Sequence, residues 1–326
     1  METMSGNEIT SRVKEFYEKN PYPGVGDKLL IKDAERLSEY MRMPGRTLFP
    51  GCGTGHTMIA LGSLRPDLEL YGLDISAPSL RIVRELANKF DVRVDAMQGD
   101  ITQPLPWGFK FTYIILQGTL HHIPDPNRAL QNLVSYLAED GLIFINLYGK
   151  KYHQRRLEII EMLDLLQQLD VAKDLEQRFT LFRSLIDKKG NNLVEALANI
   201  SPKVIWQWFS SIYRQLKIKL TRRYDSIPWT ADFRELNQLW IDQYAHPYEK
   251  TYDIWETKEL IESANLEIVD MMYLGKIKID DLPEIWQPLF KKLDSWSQRR
   301  IMELYYPSDS SIYLWARKAN TYSNII

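Results

Sequence analysis

The sequence predicts an α/β fold, a parallel sheet with crossover helices into which a mostly helical segment is inserted. Three observations predict it. From Arg46 onward, short apolar runs alternate with amphipathic stretches of helical spacing, the rhythm of strands joined by crossover helices. The first run, Thr47-Leu48-Phe49-Pro50, opens into the turn Gly51-Cys52-Gly53-Thr54-Gly55. A second apolar run is closed by Asp74, 23 positions after Gly51.

Taken in order, Asn7 to Lys19 has helical spacing with Ile9, Val13, Phe16 and Tyr17 on one side, and Asn20-Pro21-Tyr22-Pro23-Gly24 ends it. A second helix is expected over Ala34 to Met43, stopped by Pro44-Gly45. Strands follow at Arg46 to Phe49, Leu68 to Leu73, Val92 to Gln98, Phe111 to Gln117 and Gly141 to Leu147. Helices His56 to Leu64, Ala77 to Phe90 and Pro126 to Leu137 lie between them. Lys151 to about Leu220 reads as almost unbroken helix, with Leu157, Ile160, Leu163, Leu166 and Leu169 facing inward. Tyr224 to Tyr252 is aromatic and loop-like. The α/β pattern then resumes with a helix at Thr257 to Asn265, a strand at Leu266 to Tyr273, a helical insert at Leu282 to Leu304 and a last strand at Ser311 to Arg317. The expected organisation is an N-terminal helical segment 1–45, a core of 46–150 and 251–326, and an inserted helical segment 151–250.

Bulk properties exclude several function classes. With 41 basic and 43 acidic residues, the net charge of -2 gives no field that implies nucleic acid or a membrane surface as partner. One cysteine excludes an intrachain disulfide, an all-thiolate zinc site and an iron–sulfur cluster. Five histidines without paired spacing predict no metal site. The N-terminus lacks an apolar signal core and no stretch approaches the roughly 18 apolar residues of a membrane span, so a soluble cytoplasmic protein is expected.

A buried strand opening into a glycine-paved turn, followed at this distance by a strand ending in a carboxylate, is a recurring way for an α/β sheet to hold an adenosine cofactor. The turn lets the backbone approach a ligand, and the next helix offers N–H groups suited to a negative or carboxylate-bearing group. A dinucleotide site wants Gly-x-Gly-x-x-Gly or Ala. Counting from Gly51 puts His56 at the last position, and counting from Gly53 puts Met58 there.

The spacing Gly-x-Gly-x-Gly instead resembles motif I of class I S-adenosylmethionine-dependent methyltransferases. Further matches are Gly72-Leu73-Asp74-Ile75-Ser76, Gln98-Gly99-Asp100-Ile101 and Gly118-Thr119-Leu120-His121-His122-Ile123-Pro124-Asp125. Phe16-Tyr17-Glu18-Lys19-Asn20-Pro21-Tyr22-Pro23 is similar to the leader of a bacterial subgroup acting on small molecules. The resemblance implies a Rossmann-like class I methyltransferase sheet with a helical lid at 151–250, and S-adenosyl-L-methionine as cofactor. It implies that Gly51, Cys52, Gly53 and Gly55 lie under the methionine moiety and that Asp74 accepts from the ribose hydroxyls. Asp100 accepts from the adenine amino group, Ile75 and Ile101 pack on the ring, and Gln117 and Gly118 line the methionine portion. The family usually carries an acid where this chain has Phe49, so the ammonium needs another anchor: backbone carbonyls of the loop, or the hydroxyls of Tyr17 and Tyr22.

Methyl transfer is an in-line displacement in which positioning and water exclusion matter most, and a base is needed only where the acceptor carries a proton. His122, with His121 beside it, is the candidate catalytic residue; capping or packing is the structural alternative. Aromatic residues between Trp206 and Tyr252 are either a substrate lid or the core of the insert. His246-Pro247-Tyr248 and Arg155-Arg156 either contact an anionic acceptor or, for the arginines, form surface charge. Cys52 inside the turn points into the fold and makes a poor nucleophile. The expected activity is methyl transfer to a small-molecule acceptor, with secondary metabolites among the candidates; the alternatives are a peptide or protein acceptor, a noncatalytic nucleotide- or partner-binding protein, and an oxidoreductase.

Overall fold

The structure, a computed structural model, describes residues 5–24, 28–167, 174, 177–178, 238–271, 279–305 and 311–319. They fall into two compact units, Met1–Gln154 with His246–Ile326, and Arg155–Ala245.

The first unit is built on a seven-stranded sheet. Its strands are β1 Gly45–Pro50, β2 Leu68–Asp74, β3 Val94–Gln98, β4 Phe111–Leu116, β5 Leu137–Leu147, β6 Leu266–Met271 and β7 Ile312–Lys318. The order is β3-β2-β1-β4-β5-β7-β6. All pairs among the first five strands are parallel, and β7 runs antiparallel to both β5 and β6. The chain leaves β3 at one edge and returns as β4 on the other side of β1. The switch point therefore lies between β1 and β4, where open α/β sheets form a ligand crevice at the carboxyl ends of their strands.

Successive strand residues point to opposite faces, so neighbours in sequence enter different cores. Phe49, Tyr113, Ile115, Phe144 and Trp315 pack with Ala34, Leu37, Met58, Leu61, Leu80 and Val83. The latter six belong to helices α2 (Ile31–Ser38), α3 (His56–Leu64) and α4 (Ala77–Lys89), which α1 (Gly6–Lys19) precedes in the chain. Leu48, Ile114, Ile143, Ile145 and Leu314 pack on the opposite face with Ala129, Leu130, Leu133, Ile254, Leu260 and Ile261. That face is covered by α5 (Pro126–Ser135) and α8 (Ile254–Ser263).

Element ends follow local chemistry. Ser5 and Glu8 form a capping box on α1, and the Asn20 N–H returns to the Phe16 carbonyl at its end. Ser76, Asp125 and Asp253 cap α4, α5 and α8 through their side chains. Several boundaries differ from the sequence expectation. The second helix starts at Ile31 and ends at Ser38, because Tyr40 and Met41 donate to Leu37 and Ser38 and tighten the chain out of the helix. β3 begins at Val94, since the Val92 N–H closes α4 by returning to the Ala87 carbonyl. β5 begins at Leu137, across a register shift between Phe111 and Tyr113. The expected helix over Leu282 to Leu304 is two, α9 Gln287–Phe290 and α10 Ser295–Tyr305; Asp294 accepts from the Trp296 and Ser297 amides and starts the second.

Helix α6, Lys150–Gln167, continues from the first unit into the second. In it Ile159 and Leu163 are buried, whereas Leu157 and Ile160 are half-buried. Arg156 is 7% exposed, which corrects the surface reading of that residue. Gln238–Ala245 is a helix, α7, inside a stretch expected to be loop-like. Leu169, Trp206, Trp229 and Phe233 lie outside the described residues. Among the described residues, no helix is long and apolar enough to cross a membrane.

Candidate functional site

The site is assembled at the carboxyl ends of β1, β2, β3 and β4. Register pairs Pro50 with Leu73 and Asp74 with Gln98, so the turn after β1 and the two acids after β2 and β3 sit along one sheet edge. Gly51, Gly53 and Gly55 all have positive φ, at 73°, 53° and 80°.

The amides of this turn have protein acceptors throughout. Gly51 and Cys52 donate to the Leu73 carbonyl at 2.6 and 3.1 Å, and Gly55 donates to the Cys52 carbonyl at 3.0 Å. The Gly53 N–H donates to Asp74 Oδ2 at 2.8 Å, and the Thr54 N–H to the Tyr22 carbonyl at 2.9 Å. The sequence led us to expect N–H groups suited to a negative ligand at the start of the next helix, and the turn before it adds none of its own: it spends its amides on itself, on β2 and on the N-terminal segment, leaving no nest for a phosphate between Gly51 and Gly55.

Asp74 is 8% exposed. Its Oδ1 accepts from the Ser76 N–H at 2.8 Å while Oδ2 holds Gly53. Burial pushes its carboxyl above the usual aspartate value, against the pull of these amides. Cys52 Sγ lies behind the turn, where a Cβ on Gly72 would come within 3.1 Å of it. Burial, and then the charge of Asp74, push the thiol well up, so it stays protonated and is no nucleophile. Asp100 is half-buried; its Oδ1 accepts from the amide and hydroxyl of Thr102, both at 2.8 Å. Ile75 is half-buried, whereas Ile101 is 4% exposed within the core beside Leu73 and Leu105.

On the β4 side, Gly118 has φ of 72° and a Cβ built there meets nothing within 4 Å, so it borders open space. Gln117 Nε2 donates to Asp33 Oδ2 at 3.1 Å. Asp33 comes from the first turn of α2, the helix whose Ala34 and Leu37 pack with Phe49. Thr119 Oγ1 donates to the Gly51 carbonyl at 3.3 Å and ties this side to the turn.

The N-terminal segment lies over both edges through its main chain. The Ser76 hydroxyl donates to the Tyr17 carbonyl at 3.0 Å, and Thr54 reaches Tyr22 as above. The Tyr17 ring meets Phe16, His122 and His246, with centroids 5.3, 6.3 and 5.4 Å away.

His121 and His122 follow β4 in a short 3-10 turn and are both buried, at 0% and 3% exposure. His121 stacks on Tyr148 at 3.6 Å, and its carbonyl accepts from the Lys250 N–H. His122 Nδ1 lies 3.1 Å from the Tyr248 carbonyl, and its ring sits 3.8 Å from that of His246. Among the described residues, no group of three or more His, Cys, Asp or Glu side chains is arranged to hold a metal ion. The structure thus gathers the glycine turn, Asp74 and the main chain of Tyr17 and Tyr22, with Gln117 and Gly118 facing them from β4. The two histidines belong to an adjoining aromatic cluster. Sequence reasoning missed Asp33, which no motif marks, and Thr119, which stood inside a motif without a role.

Comparison with known proteins agrees with this architecture. Residues 45–199 match the family described as methyltransferase domain. An uncharacterised protein of Synechococcus is 25% identical over 267 residues, covering 80% of this chain and 57% of that protein. The structure of PKMT2 from Rickettsia typhi in complex with AdoHcy superposes with a TM-score of 0.62 at 15% identity, covering 85% of this chain and 49% of that one. The 1,6-didemethyltoxoflavin-N1-methyltransferase of Burkholderia thailandensis, with bound 1,6-didemethyltoxoflavin and S-adenosylhomocysteine, superposes with a TM-score of 0.52 at 12% identity. It covers 98% of this chain and 93% of that one. The fold is the Rossmann-like methyltransferase fold. The chain spans less than two thirds of the Synechococcus relative and about half of the Rickettsia chain.

Proposed function

We propose that the chain is a cytoplasmic S-adenosylmethionine-dependent methyltransferase acting on a small-molecule acceptor. The observation that carries this reading is the amide accounting of the glycine turn, set beside two carboxylates on adjacent strand ends. A turn without spare donors suits a ligand free of phosphate, and carboxylates suit one that presents hydroxyls and an amine. The methyltransferase domain match over residues 45–199 supports the same reading.

The residues fit such a cofactor. Each oxygen of Asp74 spends one lone pair on an amide and keeps another for a ribose hydroxyl. Asp100 Oδ2 has no hydrogen bond among the described residues and is assigned to the adenine amino group, with Ile75 at the ring. Ile101, packed in the core, offers little surface to it. Gly118 leaves room for the methionine portion. Where Phe49 supplies no acid, Asp33, held by Gln117, is assigned as the carboxylate for the ammonium. When bound, the cofactor supplies an electrophilic methyl group carried on sulfonium.

His122 is assigned to take a proton from the acceptor at Nε2. His121, stacked under Tyr148, is assigned to packing rather than chemistry. Residues 5–24, whose main chain reaches Ser76 and Thr54, are assigned to the adenosyl side, and segment 151–250 is assigned to acceptor recognition. The Burkholderia enzyme, named for a small-molecule acceptor and matching almost the whole chain, favours that class over a peptide or protein.

Calorimetry with S-adenosylhomocysteine and with NAD tests the cofactor. Binding of the first alone, with Kd of about 1–100 μM, is the expected result; binding of NAD alone, or of neither, overturns the reading. Screening small molecules for methyl incorporation then gives an acceptor. With it, His122→Gln is expected to lower kcat by roughly 10²–10⁴-fold while cofactor affinity stays unchanged. Undiminished turnover would return His122 to a packing role.

A further inference from the structure

Four of the chain's five histidines touch one another through a single aromatic cluster. His246 lies on His122 at 3.8 Å with a 31° tilt, His122 meets His121 at 4.4 Å, and His121 connects through Tyr148 to His153 at 3.6 and 4.2 Å. Contact alone does not distinguish a base from packing. The main chain of Tyr248 does.

The Tyr248 N–H donates to His246 Nδ1 at 3.1 Å. That nitrogen must carry a lone pair, so the hydrogen of neutral His246 sits on Nε2. The Tyr248 carbonyl is an acceptor, and it lies 3.1 Å from His122 Nδ1. That nitrogen must carry the hydrogen, which makes His122 Nε2 the unprotonated, basic atom. One residue therefore sets opposite tautomers in two stacked rings. Protonation acts on them unequally. His122 gains a proton at Nε2 and keeps its bond to the carbonyl, whereas His246 must lose its bond to the amide.

We propose that the Tyr248 main chain sorts this pair, making His122 the proton acceptor and His246 a positioning residue held neutral against it, and that the methyl acceptor carries its nucleophile as O–H or N–H. The tautomer assignment stands on geometry alone; the acceptor class rests on the methyltransferase reading above. As the acceptor's oxygen or nitrogen would take the methyl group, the electron pair of the broken carbon–sulfur bond would stay on sulfur, the sulfonium would leave as a neutral thioether, and the acceptor's proton would land on His122 Nε2. An acceptor with no proton to lose, such as a thioether, would leave this arrangement without a task. Among the described residues the titratable rings that meet His122 are those of His121, His246, Tyr17 and Tyr148.

The test is long-range ¹H–¹⁵N imidazole spectroscopy on the full chain, taken from about pH 8 down to about pH 5, with His122→Gln and His246→Asn used for assignment. His122 is expected as the Nδ1–H tautomer, titrating at Nε2, and His246 as the Nε2–H tautomer, neutral throughout. Tyr248→Pro removes the amide but keeps the carbonyl; it is expected to raise the His246 midpoint by about one pH unit and leave the His122 tautomer as it was. Tyr248→Phe controls for the phenol and is expected to match the wild type. An Nε2–H tautomer at His122, or a first proton taken by His246, overturns the sorting, and the wild-type spectrum decides this even where Tyr248→Pro fails to fold. With phenol- and amine-bearing probes and S-adenosylmethionine, kcat should rise with pH at the His122 spectroscopic midpoint; a flat profile overturns the acceptor class. The expected tautomers without S-adenosylhomocysteine binding would sink the cofactor reading and leave the sorting intact.

Discussion

Asp74→Ala is expected to weaken S-adenosylhomocysteine binding by roughly 10²–10⁴-fold, because two charge-assisted hydrogen bonds of about 1.5–3 kcal/mol each are lost. The variant should also melt lower. The same carboxylate holds the Gly53 and Ser76 amides, and a methyl group leaves both without an acceptor, at a cost of about 1–3 kcal/mol each where they are buried. Asp74→Asn separates the two effects in part, since its one carbonyl oxygen can satisfy one amide. Calorimetry and a thermal melt on each variant check this; wild-type affinity in either would displace the ribose from Asp74. The pH dependence has a definite sign. Burial raises the folded pKa above its ordinary value, so protonation stabilises the empty fold, and that contribution is lost as pH rises through the folded pKa. Cofactor affinity runs the other way. It should decline on acidification from a pH above that of an ordinary aspartate, and Asp74→Asn should flatten the decline.

Two glycine substitutions are expected to give opposite patterns of loss. At Gly53, φ is 53° and a Cβ would stand 2.4 Å from the Tyr22 carbonyl oxygen, which is backbone and cannot swing aside. Gly53→Ala should cost about 2–4 kcal/mol, from left-handed strain plus displacement of the N-terminal segment. Limited proteolysis should then cut within residues 5–24 faster than in the wild type. At Gly118, φ is 72° but the added carbon meets nothing within 4 Å. Gly118→Ala should cost only about 1–2 kcal/mol in stability, yet it places a methyl group in the crevice and should weaken cofactor binding at least tenfold. Retained affinity in Gly118→Ala would move the methionine portion elsewhere.

The core of the fold was legible because its periodicities were clean. The helix expected at His56 to Leu64 is found there, preceded by a turn whose glycines need positive φ, and β2 ends where its closing acid indicated. Misjudged boundaries lay where hydrogen bonds compete without a sequence mark, as where Val92 closes a helix instead of opening a strand. The candidate site divides in the same way. The sheet-edge position of Asp74 was readable from its spacing, since a strand's length fixes where its end falls, whereas Asp100 was marked by the family resemblance. Their present partners were not, because amides leave no trace in side-chain identity. For the same reason Tyr17 and Tyr22 drew attention for their hydroxyls, while their carbonyls are what Ser76 and Thr54 engage. Asp33 was invisible because its partner Gln117 lies 84 positions away.

The self-contained amides between Gly51 and Gly55 bear on how such an enzyme would respond to its surroundings. Adenine nucleotides abound in cells and share the adenosine half of the ligand, so an open anion nest would have made ATP a standing inhibitor. A turn with no donor to spare offers triphosphates and diphosphates no nest of its own, and the carboxylate of Asp74 repels them. Turnover would then follow the ratio of methylated to demethylated cofactor and be indifferent to the energy state of the cell.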